Sequence, residues 1–401
     1  MITSMWRRVV AVVAAPLAAL AISTAGTGVA SADDTQGAPV ESTAGAEVVS
    51  GQYIVVMRPG ANAAANRIAA VAQARGLGAQ VLNEYSAALS GFAAKLPQRA
   101  LDALRGNPNV EYIEADQIMR LNATQSPVTW GLDRVDQRNL PLSDSYTYTV
   151  TGNNVTAYVI DTGVRFSHND FGGRASSGFD AIDGGSADDC NGHGTHVSGT
   201  VGSTTYGIAK AVNIVGVRVL NCKGSGTNSQ VIDGIDFVTE DHGPGEPAVA
   251  NMSLGGSASN ALDRAVRNSI ADGVTYAIAA GNDNRSACNQ SPARVTEAIT
   301  VGATTRTDAR SSFSNKGTCL DIFAPGSSIK STWNTSDTAT NTISGTSMAS
   351  PHVAGAAVLF LARNTSASPS TVRNALVNSA TVGVVGNAGA GSPNLLLYTG
   401  P

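Results

Sequence analysis

The sequence predicts an α/β fold: a parallel central sheet with helices on both faces, preceded by a small α+β ferredoxin-like domain. Three observations carry this expectation. From about residue 150 onward, apolar runs suited to buried strands (155–160, 214–220, 248–252, 274–279, 298–303) alternate with glycine-flanked helical stretches (193–202, 229–239, 261–272), the pattern of parallel strands joined by helical crossovers. Before that, residues 51–122 pass through β-α-β-β-α-β cues. The chain has 401 residues, 42% hydrophobic and only 14% charged, enough for a sizeable core and more than one domain.

Taken in order, Arg7-Arg8, an apolar run over 9–22 and Ala30-Ser31-Ala32 before Asp33-Asp34 read as a secretory signal peptide spanning 1–32. The run falls short of the roughly 20 residues a spanning helix needs, so a secreted, extracellular product free of the membrane after cleavage is expected. Residues 33–50 lack apolar periodicity and read as a flexible leader. In 51–122, a strand at 52–57 stops at Pro59-Gly60, and an Ala-rich helix at 62–75 stops at Gly76 and Gly78. Strands at 80–85 and 91–96, a helix at 97–104 opened by Pro97 and a strand at 110–115 complete a ferredoxin-like sandwich with both helices on one face. A unit of about 70 residues is marginal alone and is expected to lean on a partner surface. The polar stretch 122–127 marks a processing site, leaving 123–401 as the main domain.

A net charge of −4 supplies no broad basic field, which argues against nucleic acid as a partner. Export makes the four cysteines candidates for disulfides rather than for metal-thiolate chemistry, and no C-x-x-C spacing occurs. Of three possible pairings, the two widely separated clusters favour Cys190 with Cys222 and Cys288 with Cys319. Each such loop contributes roughly 3–4 kcal/mol if unstrained.

Three short blocks carry chemistry. Asp161 follows a buried strand run and precedes Thr162-Gly163, so it sits at a strand's C-terminal end, where functional groups gather in open parallel sheets. Alone it reads as an ordinary turn-capping aspartate. His193 lies in Asn191-Gly192-His193-Gly194-Thr195-His196; the H-x-x-H spacing lacks the acid and the i, i+4 placement of a zinc-protease helix, leaving His193 as a proton-transfer group and His196 as structural. Ser347, in Gly345-Thr346-Ser347-Met348-Ala349-Ser350-Pro351, opens an apolar helix with Pro351 expected within its first turn. Serines there are usually caps, yet the same position lets backbone N–H groups and the positive helix end stabilise an oxyanion forming beside the hydroxyl oxygen. Jointly the three supply what nucleophilic serine chemistry needs: a nucleophile, a base and a carboxylate that fixes the base's tautomer, in the order Asp, His, Ser.

These blocks resemble the three signatures of the subtilisin family. With Trp130-Gly131-Leu132-Asp133, Gly224-Ser225-Gly226, Ser253-Leu254-Gly255-Gly256 and Ala280-Gly281-Asn282, the similarity spans roughly 123–398. It is nearest the proteinase K branch, with aqualysin-like cysteine placement and an aqualysin-like Asp133-Arg134-Val135-Asp136-Gln137-Arg138 segment. The resemblance implies a subtilisin-like catalytic domain and a secreted serine endopeptidase working through an acyl-enzyme. In it Ser347 is nucleophile, His193 base, Asp161 its orienting carboxylate, and Asn282 the oxyanion-hole amide. It further implies that Gly224, Ser225, Gly226, Ser253, Leu254, Gly255, Ala279 and Gly281 bind protein or peptide substrates, with an apolar or aromatic preference before the cut. The 51–122 domain resembles the family's inhibitor-type propeptide, so a self-processing zymogen cut near Asn122–Ala123, inhibited by its own propeptide and monomeric, is expected. No organic cofactor is implied. Structural calcium is, at Asp321 with the carbonyls of Thr296 and Ala298, and at Asp133, Asp136 and Gln137. An intact Asp161, His193, Ser347 and Asn282 set argues against a dead scaffold, and the full downstream domain against a stand-alone inhibitor.

Overall fold

A computed structural model describes residues 37–41, 48–117 and 123–400; the segment read as a signal peptide and Asn122 lie outside these residues. The chain forms two compact units, divided at Asp116–Gln117. In the first, β1 (Val40–Glu41), β2 (Val48–Met57), α1 (Ala63–Gly76), β3 (Gln80–Tyr85), β4 (Gly91–Lys95), α2 (Gln98–Arg105) and β5 (Val110–Gln117) follow in order. The sheet runs β1-β5-β2-β4-β3, the ferredoxin-like arrangement expected. Its core holds Val55, Met57, Phe92 and Ile113 from the strands, with Ala70, Ala74, Leu101 and Leu104 from the two helices.

The leader is not irregular throughout. Val40–Glu41 pairs parallel with Ile113–Glu114, Ala38 N–H donates to the Arg105 carbonyl at 2.6 Å, and β2 begins at Val48. A two-residue strand satisfies the open edge of β5 through backbone groups alone, so it leaves no side-chain period to read.

The second unit opens with β6 (Ala123–Gln125), α3 (Trp130–Val135) and β7 (Tyr146–Tyr148), β6 pairing antiparallel with β7. Then come β8 (Thr156–Asp161), β9 (Ala175–Asp180), α4 (His193–Gly202), β10 (Asn213–Arg218), α5 (Asn228–Asp241) and β11 (Ala248–Met252). They are followed by β12 (Gly256–Ser257), α6 (Asn260–Asp272), β13 (Thr275–Ala279), β14 (Gln290–Ser291), β15 (Ile299–Thr304) and β16 (Ile322–Pro325). The chain closes with β17 (Ile329–Thr332), β18 (Thr340–Ile343), α7 (Thr346–Arg363), α8 (Pro369–Ser379), β19 (Thr381–Val382) and β20 (Leu395–Leu396).

The main sheet has the order β19-β20-β16-β15-β13-β11-β8-β10-β9, and all pairings in it are parallel except β19 with β20. Alternate residues of β8 serve opposite faces: Ala157 and Val159 join a cluster with α4 and α7, while Tyr158 and Ile160 join one with α5 and α6. Burial on both faces is why this strand is apolar without alternation. Helix starts follow local chemistry, Thr227 forming a capping box with Gln230 and Ser259 capping α6. Two strands flank β8, with β9 and β10 on one side and β11 onward on the other. Strand order thus reverses at β8, which makes its C-terminal end, Asp161, a switch-point position. The four cysteines form Cys190–Cys222 and Cys288–Cys319 disulfides.

Candidate active site

Asp161 is fully buried at the end of β8. Its Oδ1 accepts from Thr162 N–H at 2.8 Å and lies 2.7 Å from His193 Nδ1. His193 is the first residue of α4, whose start packs so closely on the Asp161-Thr162-Gly163 turn that a Cβ on Gly194 would stand 2.1 Å from the Gly163 carbonyl oxygen. Only glycine lets the helix begin there. Burial alone would lower the His193 pKa; the charge and hydrogen bond of Asp161, with a smaller contribution from Asp189, outweigh it and hold the imidazole above its ordinary value. His196 and His352, by contrast, are each pushed down to about 4 by burial and are bonded to the carbonyls of Ile329 and Met348. They stay neutral, and among the described residues no cluster of three or more His, Cys, Asp or Glu side chains is placed to hold a metal ion.

Ser347 is the second residue of α7, and its hydroxyl donates to the Ser253 carbonyl at 3.0 Å. Among the described residues no hydrogen bond joins it to His193. Pro351 falls in the second turn of α7, not the first as expected. Lacking an N–H, it cannot serve the carbonyl four residues back, which is that of Ser347. Ser253 Oγ–H fills that vacancy at 2.8 Å, and Asn251 backs it by donating to Ser253 Oγ at 2.9 Å. The proline thus creates the acceptor that ties the 253–255 segment to Ser347, an arrangement invisible in the sequence because its partner lies 94 residues away.

Asn282 follows β13 through Gly281, whose φ of +98° and tight surroundings, 2.0 Å from an added Cβ to Gln290 Oε1, admit only glycine. Asn282 Oδ1 accepts from Thr346 N–H and Oγ–H at 2.8 and 3.0 Å. Its acceptor is thereby committed, leaving the Nδ2–H group to donate. Gly281 N–H donates to Thr346 Oγ1 at 3.1 Å.

Residues 224–226 and 253–255 come together with Thr162 and His193 around a cleft of about 550 Å³ that includes Leu220, Val231 and Leu262 but neither Ala279 nor Gly281. Its wall also carries Lys223, a cation just outside the segments singled out from sequence. Of the calcium candidates, Asp321 does not fit: Oδ2 accepts from Thr300 N–H at 2.8 Å and Oδ1 pairs with Arg373, so a guanidinium already serves the carboxylate. The Asp133 group differs. Asp133 is engaged by Ser143 and Asp144 N–H groups at 3.0 and 2.7 Å, but Asp136 Oδ1 is buried with no partner among the described residues. Desolvation, reinforced by the Asp133 charge and only partly offset by Thr147 N–H, pushes the Asp136 carboxyl up to about 6.

With this geometry in place, comparison with known proteins identifies the class. The profile described as "Subtilase family" matches residues 152–395, and "Peptidase inhibitor I9" matches 52–122. The chain belongs to the subtilase family; it is a serine proteinase preceded by an I9-type inhibitor segment. It is 58% identical over 387 residues to the extracellular serine proteinase of Thermus sp. (strain Rt41A), covering 92% of this chain and 94% of that one. It is 43% identical over 356 residues to proteinase R of Parengyodontium album, 88% and 89% covered. The crystal structure of a cold-adapted subtilisin-like serine proteinase superposes with a TM-score of 0.66 at 55% identity, covering 68% of this chain and 99% of that one.

Proposed function

We propose that the protein is a secreted endopeptidase in which Ser347 attacks the scissile carbonyl, His193 takes its proton, and Asp161 fixes and stabilises the imidazole. The observation carrying this reading is the 2.7 Å Asp161–His193 contact, with Ser347 and the Asn282 amide gathered at the start of α7. Ser347 N–H, in the helix's first turn without a helical acceptor, and Asn282 Nδ2–H are the donors for the oxyanion. The backbones of 224–226 and 253–255 add to an extended peptide as a strand, and Leu220, Val231, Leu254 and Leu262 in the cleft favour apolar side chains before the cut. The leading residues 1–32 direct export, and the I9-type segment inhibits its own enzyme until cleavage between Asn122 and Ala123.

The test is expression of the full chain as wild type and as Ser347→Ala. Wild type is expected to yield a mature product beginning at Ala123 that hydrolyses casein, whereas the variant persists as full-length precursor without hydrolysis. Processing and hydrolysis by both would end the proposal.

Calcium at Asp133, Asp136 and Gln137 is part of the same reading, supported by the partnerless Asp136 oxygen and by oxygen donors suited to a hard cation. Because the folded carboxyl binds its proton more tightly than the unfolded one, stability without metal falls as pH rises from about 4 to about 6; a bound cation offsets that loss. At pH 8, calcium at 100 times its Kd is expected to stabilise by about 2.7 kcal/mol over chelator, and Asp136→Asn to lose most of the gain in Tm. An unchanged Tm on chelation would remove the site.

A further inference from the structure

The start of α4 has a peculiarity. Its N-cap position is Gly192, which has no side chain to satisfy the helix's first N–H groups. Asp189, three residues earlier and only 8% exposed, does this instead. Its Oδ1 accepts from Asn191 N–H, Gly192 N–H and Thr162 Oγ–H, each at 2.9 Å. Its Oδ2 accepts from Thr195 N–H at 2.9 Å and Thr195 Oγ–H at 2.6 Å. Thr162 is the link: its N–H holds Asp161, its hydroxyl accepts from Gly194 N–H at 2.9 Å, and it donates to Asp189. One buried carboxylate therefore ties the end of β8, which carries Asp161, to the first turn of α4, which carries His193.

We infer that Asp189 is a positioning residue for the proposed base, fixing the Asp161–His193 vector through Thr162 and adding a second negative charge that favours the imidazolium formed during acylation. The inference rests on the triad reading above. A carboxylate with five donors is fully occupied, so it has no capacity left for a metal or a substrate; its remaining influence is on the elements it joins. Other charged or titratable groups around His193 are His196 on the same helix, Lys223 on the cleft wall, Arg165 paired with Asp337, and Arg218 paired with Asp180 and Asp183. Those arginines are already neutralised by their own partners, leaving Asp161 and Asp189 as the anions acting on the imidazole.

The experiment compares mature wild type, Asp189→Asn, Thr162→Val and Thr162→Ser, counting active sites with a fluorophosphonate so that kcat is per competent serine. Asp189→Asn is expected to lower kcat by about 10- to 100-fold, the scale of a misplaced catalytic group, with KM within about 2-fold. Its acidic limb of kcat/KM is expected to move to lower pH, because loss of an anion makes the imidazole easier to deprotonate. Thr162→Val should lower kcat at least about 10-fold and Thr162→Ser restore it, a pair that remains readable if Asp189→Asn does not mature. Unchanged kcat per site and an unmoved limb in Asp189→Asn, or equal kcat in Thr162→Val and Thr162→Ser, would overturn the inference while leaving the triad intact. No serine labelled in wild type would instead overturn the triad reading itself.

Discussion

His193→Ala, matured in trans by wild-type enzyme, is expected to lower kcat on a peptide substrate by about six orders of magnitude, equivalent to roughly 8 kcal/mol of barrier. Asp161→Asn is expected to lower it by about four. Those magnitudes are known for subtilisin and other serine proteases; what the geometry adds is their relation to each other. In the proposed mechanism Asp161 touches no reacting atom: its Oδ1 lies 2.7 Å from Nδ1, and a proton held there leaves the lone pair on Nε2. Asparagine in its place can present an N–H to Nδ1, turning the tautomer around so that Nε2 bears the proton and cannot accept one from Ser347. With the imidazole gone there is nothing left to orient, so His193→Ala/Asp161→Asn should be no slower than His193→Ala alone. An additive double variant, near ten orders, would mean that Asp161 acts on something other than His193. The pH profile checks the same contact. Since Asp161 holds the imidazole above its ordinary 6.5, the acidic limb of kcat/KM should lie above that value, and Asp161→Asn should bring the limb down.

How much of this was legible before the fold follows from how local each signal is. The central strands announce themselves because both faces of β8 and β11 are buried, which makes their runs largely apolar, with Asp161 and Asn251 as hydrogen-bonded exceptions. Asp161, His193 and Ser347 become legible only together, through their order and their places at element boundaries marked by glycine, and Asn282 through the family resemblance; glycine is required where backbones meet at Gly194 or bend at Gly281. Asp189 carries no such mark: an acid before a glycine turn is ordinary, and its meaning lies in Thr162, 27 residues away. The same holds for Pro351, whose effect is felt at Ser253, and for Lys223, which lies one residue outside a recognised segment. The edge strand Val40–Glu41 was unreadable for the opposite reason, being made by backbone alone. Asp321 was proposed as a calcium ligand through the family resemblance alone, which carries no sign that Arg373, 52 residues on, pairs with its carboxylate.

Arg134→Met is expected to destabilise the mature enzyme by about 3–5 kcal/mol, the cost of leaving a buried charge unpaired. Arg134 has no exposed surface. Its guanidinium donates to both oxygens of Asp308, at 2.6 and 3.1 Å, and to the carbonyls of Gln137 and Arg138 at 2.6 and 3.2 Å. It therefore joins α3 and the 136–138 turn after it to the loop after β15, 174 residues away in sequence. Methionine fills much of the space yet strands Asp308, which is 7% exposed, along with two carbonyl oxygens. Asp308→Asn is the informative second change, since Asp308 has φ of +63°, which asparagine tolerates. Removing its charge should recover at least about 1 kcal/mol in the double variant relative to the sum of the singles, because the pair is in direct contact. The measurement must use enzyme with Ser347 chemically blocked, since an active protease digests its own unfolded fraction and turns an equilibrium into a rate. For a unit of this size, 3–5 kcal/mol corresponds to a fall in Tm of roughly 5–9 °C. A Tm within about 2 °C of wild type would show that Asp308 finds another partner, and the link between α3 and the β15 loop would then owe little to Arg134.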